Sequence, residues 1–160
     1  IGGSLSNAFG DFTLRAEAGY DTQQFFQNSH PAVVSGWSRS AEISTVIGVD
    51  YSGVRDWLIS SQLFTSYLPD YEEGILRERR QDRATLLFRG DLLGHTQTAE
   101  MLVIHSLDDH DGILQFSWDY RVRSRITLNA TLDIPYGERT GDFGQFRDND
   151  QFSLGIEVSF

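Results

Sequence analysis

The stretch Gln151-Phe152-Ser153-Leu154-Gly155-Ile156-Glu157-Val158-Ser159-Phe160 decides the fold of this chain. Large apolar residues alternate with polar or very small ones along its whole length. Successive side chains of a β-strand point to opposite faces, so the segment predicts a strand with one apolar face and one polar face. The rest of the chain determines what that apolar face contacts.

The same alternation predicts further strands along the chain. They cover Phe12 to Tyr20, Ile43 to Tyr51, Trp57 to Tyr67, Ala84 to Leu92, Thr98 to Leu107, Leu114 to Val122 and Ile126 to Tyr136. With Gln151 to Phe160 this gives about eight strands, each near the roughly 9–11 residues that cross a bilayer obliquely. The apolar face of Thr98 to Leu107 cannot be assigned from the pattern, and no long helix is predicted.

The connections between these strands alternate in length. The short ones are Ser52 to Asp56, Gly94 to Gln97 and Arg123 to Arg125, whereas the long ones are Asp21 to Ser40, Pro69 to Asp82 and Pro135 to Asp150. Asp108 to Gly112 is short and breaks the alternation. Short turns on one side and long loops on the other are typical of membrane barrels.

Composition excludes several classes of protein. The chain has 160 residues, enough for one domain with a core, and it contains no Cys and therefore no disulfide. Its net charge of -10 argues against a nucleic-acid partner, because phosphate contacts need a basic surface. No apolar run is long enough for a transmembrane helix. No signal peptide begins at Ile1, so we expect a mature chain, a trimmed chain or a fragment.

Aromatic and charged residues indicate what the two faces contact. Aromatic residues near the predicted strand ends would form girdles at the two membrane boundaries: Tyr20, Tyr51, Trp57, Tyr67, Trp118, Tyr120 and Tyr136. Charged residues occupy the polar faces: Arg15, Glu17, Asp50, Arg83, Arg89, Asp91, Asp119, Arg121, Arg123, Asp133 and Glu157. Charges are tolerated in a protein interior only when paired, so a soluble core built on this face would be unstable.

These observations predict an all-β, antiparallel, up-and-down transmembrane β-barrel formed by residues 1–160 as a single domain. The apolar face would contact lipid, and the charged face would form a network in the lumen. About eight strands enclose a lumen filled by side chains, which favours a plugged structural barrel. The same residues in a larger barrel would line an aqueous pore.

One cluster contains the residue types of a catalytic set: His105, Ser106, Asp108, Asp109 and His110. Small outer-membrane barrels include lipid A deacylases that use a Ser, a His and an acid, with the Ser and His two residues apart. Here His105 and Ser106 are adjacent and should point to opposite faces. We therefore expect a polar turn, no catalytic residue, no metal and no cofactor. A barrel enzyme that modifies lipopolysaccharide remains the alternative.

Two motifs resemble a known group of proteins. The terminal segment, with Phe152, Leu154, Ile156, Val158 and Phe160, resembles the closing strand that the barrel-assembly machinery of bacterial outer membranes reads. The loop Gly141 to Asp150, together with Gly48-Val49-Asp50-Tyr51 and Trp57-Leu58-Ile59-Ser60-Ser61-Gln62, resembles the carboxy-terminal part of large porin-like outer-membrane proteins of uncharacterised function. That resemblance covers Ile43 to Phe160.

The resemblance implies a non-enzymatic protein of the Gram-negative outer membrane. Its partners would be the lipid bilayer, lipopolysaccharide and the assembly machinery. Three architectures stay open: an intact small barrel, which would be a monomer, part of a larger pore-forming barrel, and a soluble β-sandwich. Pairing between the first and last strands would identify the first, since open sheet edges are not tolerated in lipid.

Overall fold

The computed structural model describes residues 1–159 and contains nine strands. Their bounds are β1 Gly2–Phe9, β2 Phe12–Gln27, β3 Trp37–Tyr51, β4 Trp57–Tyr67, β5 Arg80–Leu92, β6 Gln97–Ser106, β7 Gly112–Arg123, β8 Ile126–Tyr136 and β9 Gln151–Val158. One short 3-10 helix, Gly144–Phe146, lies between β8 and β9. Phe160, the last residue of the predicted assembly signal, lies outside the described residues.

The strands form one sheet in which each strand pairs with the next in sequence order, always antiparallel. This confirms the predicted all-β, up-and-down antiparallel topology. Within residues 1–159, β1 pairs only with β2 and β9 only with β8, so the sheet is open and does not close on itself. Because the number of strands is odd, β1 and β9 run in the same direction.

The strand number and one predicted connection differ from the structure. The structure has nine strands where about eight were predicted, because Gly2–Phe9 pairs with β2 along its whole length. The predicted long connection Asp21 to Ser40 is also mostly strand, since β2 continues to Gln27 and β3 begins at Trp37. A β-bulge between Asp21 and Gln24 interrupts the alternation there and conceals the continuation of β2.

Connection length differs between the two ends of the strands, except that the 107–111 connection is as short as the 52–56 connection. One end of the strands carries the connections 10–11, 52–56, 93–96 and 124–125, and we call it the short-turn edge. It is distinct from the open edges of the sheet, which are β1 and β9. The opposite end of the strands, called the loop edge, carries 28–36, 68–79, 107–111 and 137–150. The additional hairpin at Gly10 and Asp11 falls on the short-turn edge, where Gly10 has a φ of 59° that suits a tight turn. The predicted sorting of connections therefore extends to the ninth strand.

The register keeps large apolar side chains and charged side chains on opposite faces of the sheet. Directly paired residues share a face. One row joins Ile47, Leu63, Ala84 and His105, whereas rows of the opposite face join Glu17 to Val46 and Arg89 to Glu100. We call the side with Leu14, Ile47, Leu63, Leu86 and Leu154 the apolar face. The opposite side, with Arg15, Asp50, Arg89, Glu100 and Asp133, is the polar face.

The sheet curves toward its polar face. Four cavities along the strands are lined mainly by residues of that face, among them Ser44, Gln62, Arg83, Leu102 and Gln115. We therefore describe the polar face as concave and the apolar face as convex.

The small buried core lies at the loop edge and not between layers of sheet. Phe26, Leu68 and Ile75 form it, and the Arg77 guanidinium lies 5.2 Å from the centre of the Phe26 ring. The backbone bond from Ser29 N to Gly74 O, 2.9 Å, joins the 28–36 and 68–79 connections, and the bond from Leu76 N to Gln27 O, 3.0 Å, joins the 68–79 connection to the end of β2. These connections therefore pack on each other. The described residues contain no helix long and apolar enough to span a bilayer.

Candidate functional site

The apolar face is a continuous exposed surface. Ile47 is 61% exposed, Leu63 43% and Leu154 75%, and large apolar residues of β1 to β9 share this side of the sheet. Soluble monomers rarely expose contiguous apolar patches larger than a few hundred Å². The convex face therefore requires an apolar environment or a partner that covers it.

All seven aromatic residues predicted as girdles lie on this face by register. Tyr20 and Tyr67 both pair with Ile43 near the loop edge, and Tyr136 pairs with Gly112 at the same edge. Toward the short-turn edge lie Tyr51, Trp57, Trp118 and Tyr120. The Trp118 and Tyr120 rings stack with centroids 5.8 Å apart. The aromatic residues thus fall toward the two ends of the strands, on one side of the sheet.

Cross-strand pairs hold the polar side chains of the concave face. Arg15 donates to Asp50 at 2.9 Å, and Gln115 donates to Asp133 at 2.9 Å. Arg89 and Glu100, which are direct register partners, lie 3.9 Å apart. These pairs join neighbouring strands on a surface that stays open to water, because the Arg15 side chain is 43% exposed.

The predicted charged residues are brought to one face but not into one network. Register places all but one of them on the polar face, with Arg123 as the exception, because a register shift in β7 sets it opposite Ile126 of the apolar rows. Within the described residues only Arg15 and Asp50 form an ion pair inside the predicted set. Arg89 pairs instead with Glu100, and Arg83 with Asp142.

A second polar cluster lies where the polar face meets the loop edge. Arg77 donates to Glu42 at 3.1 Å and to Ser66 at 2.7 Å, and the Ser66 hydroxyl also donates to Glu42. Arg77 comes from the 68–79 connection, so this cluster ties the connection to β3 and β4. The sequence did not single out these three residues.

The side chains of the candidate catalytic cluster, His105 to His110, do not converge. Ser106 lies on the polar face, is 3% exposed and donates to Asp109 Oδ2 at 3.3 Å. His105 lies on the apolar face, where its Nδ1 is 3.3 Å from the Tyr136 hydroxyl. The two side chains therefore have separate hydrogen-bond partners. Across residues 1–159, no group of three or more His, Asp or Glu side chains is placed to hold a metal ion.

A carboxylate that directly follows that cluster, Asp111, has a structural role that the sequence did not reveal. Asp111 is fully buried, and its Oδ2 accepts hydrogen bonds from Phe143 N at 2.6 Å and Gly144 N at 2.9 Å. It thereby anchors the 137–150 connection to the 107–111 turn. Gly141 packs directly on the Asp111 carboxylate, a contact that no feature of the sequence indicates.

Comparison with known proteins gives no match, because no family model, curated protein or solved structure is significantly similar to this chain. Its function must therefore be argued from its own two faces.

Proposed function

We propose that this sheet forms part of the wall of a transmembrane β-barrel in a bacterial outer membrane, with its convex face on lipid and its concave face along an aqueous path for solutes. The protein is porin-like and non-enzymatic in this proposal. The observation that carries it is the separation of the two faces. Exposed Leu, Ile, Val and Phe side chains cover one side of nine strands, and charged pairs occupy the other.

The loop edge and the aromatic positions support the same orientation. Membrane barrels have short turns on the periplasmic side and longer loops outside, with aromatic girdles at both boundaries. The short-turn edge would face the periplasm, and the loop edge would face outward toward lipopolysaccharide. The barrel-assembly machinery would insert the chain, and the lipid bilayer would cover the convex face.

The open edges favour a barrel with more strands than these nine. Unpaired backbone groups are not tolerated in the hydrocarbon region, so β1 and β9 would each need a partner strand. Direct pairing of β1 with β9 would be parallel, whereas every pair in the sheet is antiparallel. Further antiparallel strands, from this protein or another chain, would complete the wall. A lumen wider than that of eight strands can hold water.

Two adjacent positions in the middle of β4 test the assignment of the faces. Leu63 lies on the apolar face and Gln62 on the polar face. The chain contains no Cys, so Leu63→Cys and Gln62→Cys each give a single labelling site. In phospholipid vesicles, a spin label at position 63 is expected to be more accessible to lipid-soluble oxygen than a label at position 62. A label at position 62 is expected to be more accessible to a water-soluble nickel chelate.

The two labels serve as controls for each other, because they share strand, depth and chemistry. Equal accessibility to the nickel chelate at both positions would contradict the proposal and indicate a sheet that is wet on both faces. A protein that stays monomeric in buffer without detergent or lipid would also contradict the proposal, since the convex face would then face water.

A further inference from the structure

The hairpin of β2 and β3 continues past the aromatic residues at the loop edge. Tyr20 and Tyr67 both pair with Ile43, and we call these three residues the aromatic row. Side chains alternate along β3, so Trp37 and Arg39 lie on the same side of the sheet as Ile43. At about 3.4 Å per residue, Arg39 lies about 13 Å beyond the aromatic row.

The β-bulge in β2 determines which aromatic residue shares that side with Arg39. The bulge between Asp21 and Gln24 adds one residue to β2 and none to β3. Beyond it, Phe25 pairs with Arg39 on the outer side, whereas Phe26 lies on the opposite side and belongs to the small core. Without the extra residue the two phenylalanines would exchange sides.

Two exposed aromatic rings and one arginine come together on this outer side. Phe25 is 58% exposed and Trp37 56%. The Arg39 guanidinium lies 4.8 Å from the centre of the Phe25 ring, which is a cation–π contact. Trp37 pairs with Gln27 and is therefore a diagonal neighbour of Phe25. We call Phe25, Trp37 and Arg39 the outer patch.

Further arginines lie on the same side of the loop edge. Arg80 pairs in register with Tyr67, and the Arg79 guanidinium lies 5.2 Å from the centre of the Tyr67 ring. Arg80 forms an ion pair with Asp82 at 2.8 Å. Within residues 1–159, no carboxylate lies at ion-pair distance from Arg39 or Arg79. In a chain whose net charge is -10, these two cations favour an anionic ligand on this side.

The chemistry of the outer patch fits a sugar that carries a phosphate group. A guanidinium binds phosphate through parallel charge-assisted hydrogen bonds. The faces of a sugar ring present C–H groups, which pack on aromatic rings by dispersion. Because the outer patch continues the apolar face, its ligand would come from the surrounding membrane and not from the concave face.

We propose that Phe25, Trp37 and Arg39 bind the phosphorylated sugars of lipopolysaccharide. This inference rests on the proposed position of the sheet in an outer membrane. There the sugars of lipopolysaccharide would lie outside the aromatic row, on the side to which the outer patch points. The outer patch would thus hold a lipid of the same membrane, separately from any solute on the concave face.

Fluorescence of Trp37 in the full chain tests this. The chain has three Trp residues, and Trp57→Phe with Trp118→Phe leaves Trp37 as the single emitter. In phosphatidylcholine vesicles, increasing fractions of lipopolysaccharide are expected to change its emission and give an apparent Kd. Arg39→Gln is expected to raise that Kd by about tenfold, because it removes a charge-assisted pair. Arg39→Lys keeps the charge without the planar fork, so a smaller rise is expected.

Matched variants and lipids show whether the effect belongs to the outer patch. Arg55→Gln is the control, because its side chain is 94% exposed at the short-turn edge and no change of Kd is expected. Phe25→Ala removes an exposed ring and should weaken binding without unfolding the protein. Dephosphorylated lipopolysaccharide and phosphatidylglycerol should each bind more weakly than intact lipopolysaccharide, since one lacks the phosphates and the other the sugar rings.

The outcomes distinguish this inference from the proposed function. The same Kd in the parent protein, Arg39→Gln and Phe25→Ala would overturn the inference, and so would equal binding of dephosphorylated lipopolysaccharide. A change in Trp37 emission that follows protein concentration instead of lipopolysaccharide would identify a second copy of the chain as the occupant and overturn it too. In these cases a spin label on Leu63→Cys would still report lipid. A label that reports water at that position would contradict the membrane barrel itself, and this inference with it.

Discussion

The loop edge and the middle of the strands are stabilised in different ways. At the loop edge Leu68 and Asp111 are fully buried, and the 28–36 and 68–79 connections share a small core. In the middle of the strands the large apolar side chains point outward, and Ile47 is 61% exposed. One region packs on itself, and the other relies on backbone pairing and on whatever covers its convex face.

The contrast shows that this fold has no single hydrophobic core. A soluble domain buries the apolar face of its sheet against a second layer. Here the described residues provide no second layer, and the only compact packing occurs at the ends of the strands. Stability of the strand region should therefore depend on the surrounding medium, whereas stability of the loop edge should not.

The largest effect is expected from Leu68→Ala at the loop edge. The substitution leaves a cavity beside Phe26 and Ile75, and such a change costs about 2–5 kcal/mol of unfolding free energy. Urea titration of protein folded in vesicles and in detergent should show a similar loss in both media. Val34→Ala is the control, because Val34 is 98% exposed in the adjoining connection and should change stability by less than about 0.5 kcal/mol.

A smaller and medium-dependent effect is expected from Ile47→Ala on the apolar face. The side chain is exposed, so no cavity forms, but fewer carbon atoms transfer from water to lipid on folding. At about 0.8 kcal/mol per CH₂ the loss should be about 2 kcal/mol in vesicles. A loss that is as large as that of Leu68→Ala and independent of the medium would indicate a hidden protein partner, and it would end the contrast between the two regions.

The sequence predicts the regular parts of the strands better than it predicts the connections and irregular strand ends. Alternation along β3, β8, β9 and β7 as far as Arg121 predicted the faces correctly, because a regular ladder keeps side chains in phase over many residues. The alternation failed as a predictor where a strand is irregular or where it has few large side chains. The bulge after Asp21 hides the end of β2, and the Gly- and Ser-rich segment Gly2–Phe9 has too few large side chains to show a period.

The contacts that hold the 137–150 connection could not be predicted from the sequence, for a different reason. Asp111 looked like one of several acids in a polar turn, and its burial depends on Phe143 and Gly144, which lie 32 and 33 residues away. The pairing of Arg83 with Asp142 spans 59 residues. Such contacts depend on how loops fold over a sheet, and strand periodicity contains no information on that.

The smallest effect is expected from Asp50→Asn on the polar face, and it distinguishes a water-lined wall from a filled lumen. In a dry lumen the change would leave Arg15 as an unpaired buried charge, at a cost of about 3–5 kcal/mol. On a wet face water replaces the lost partner, and exposed ion pairs contribute about 0–1 kcal/mol. The Arg15 side chain is 43% exposed, so we expect the smaller loss of unfolding free energy, and this loss should decrease further in high salt.

Urea titration of Asp50→Asn, Arg15→Gln and the double variant measures the coupling energy between Arg15 and Asp50 directly. A coupling of several kcal/mol that salt does not reduce would mean that the concave face is closed to water, and the proposed solute path would then have to be abandoned.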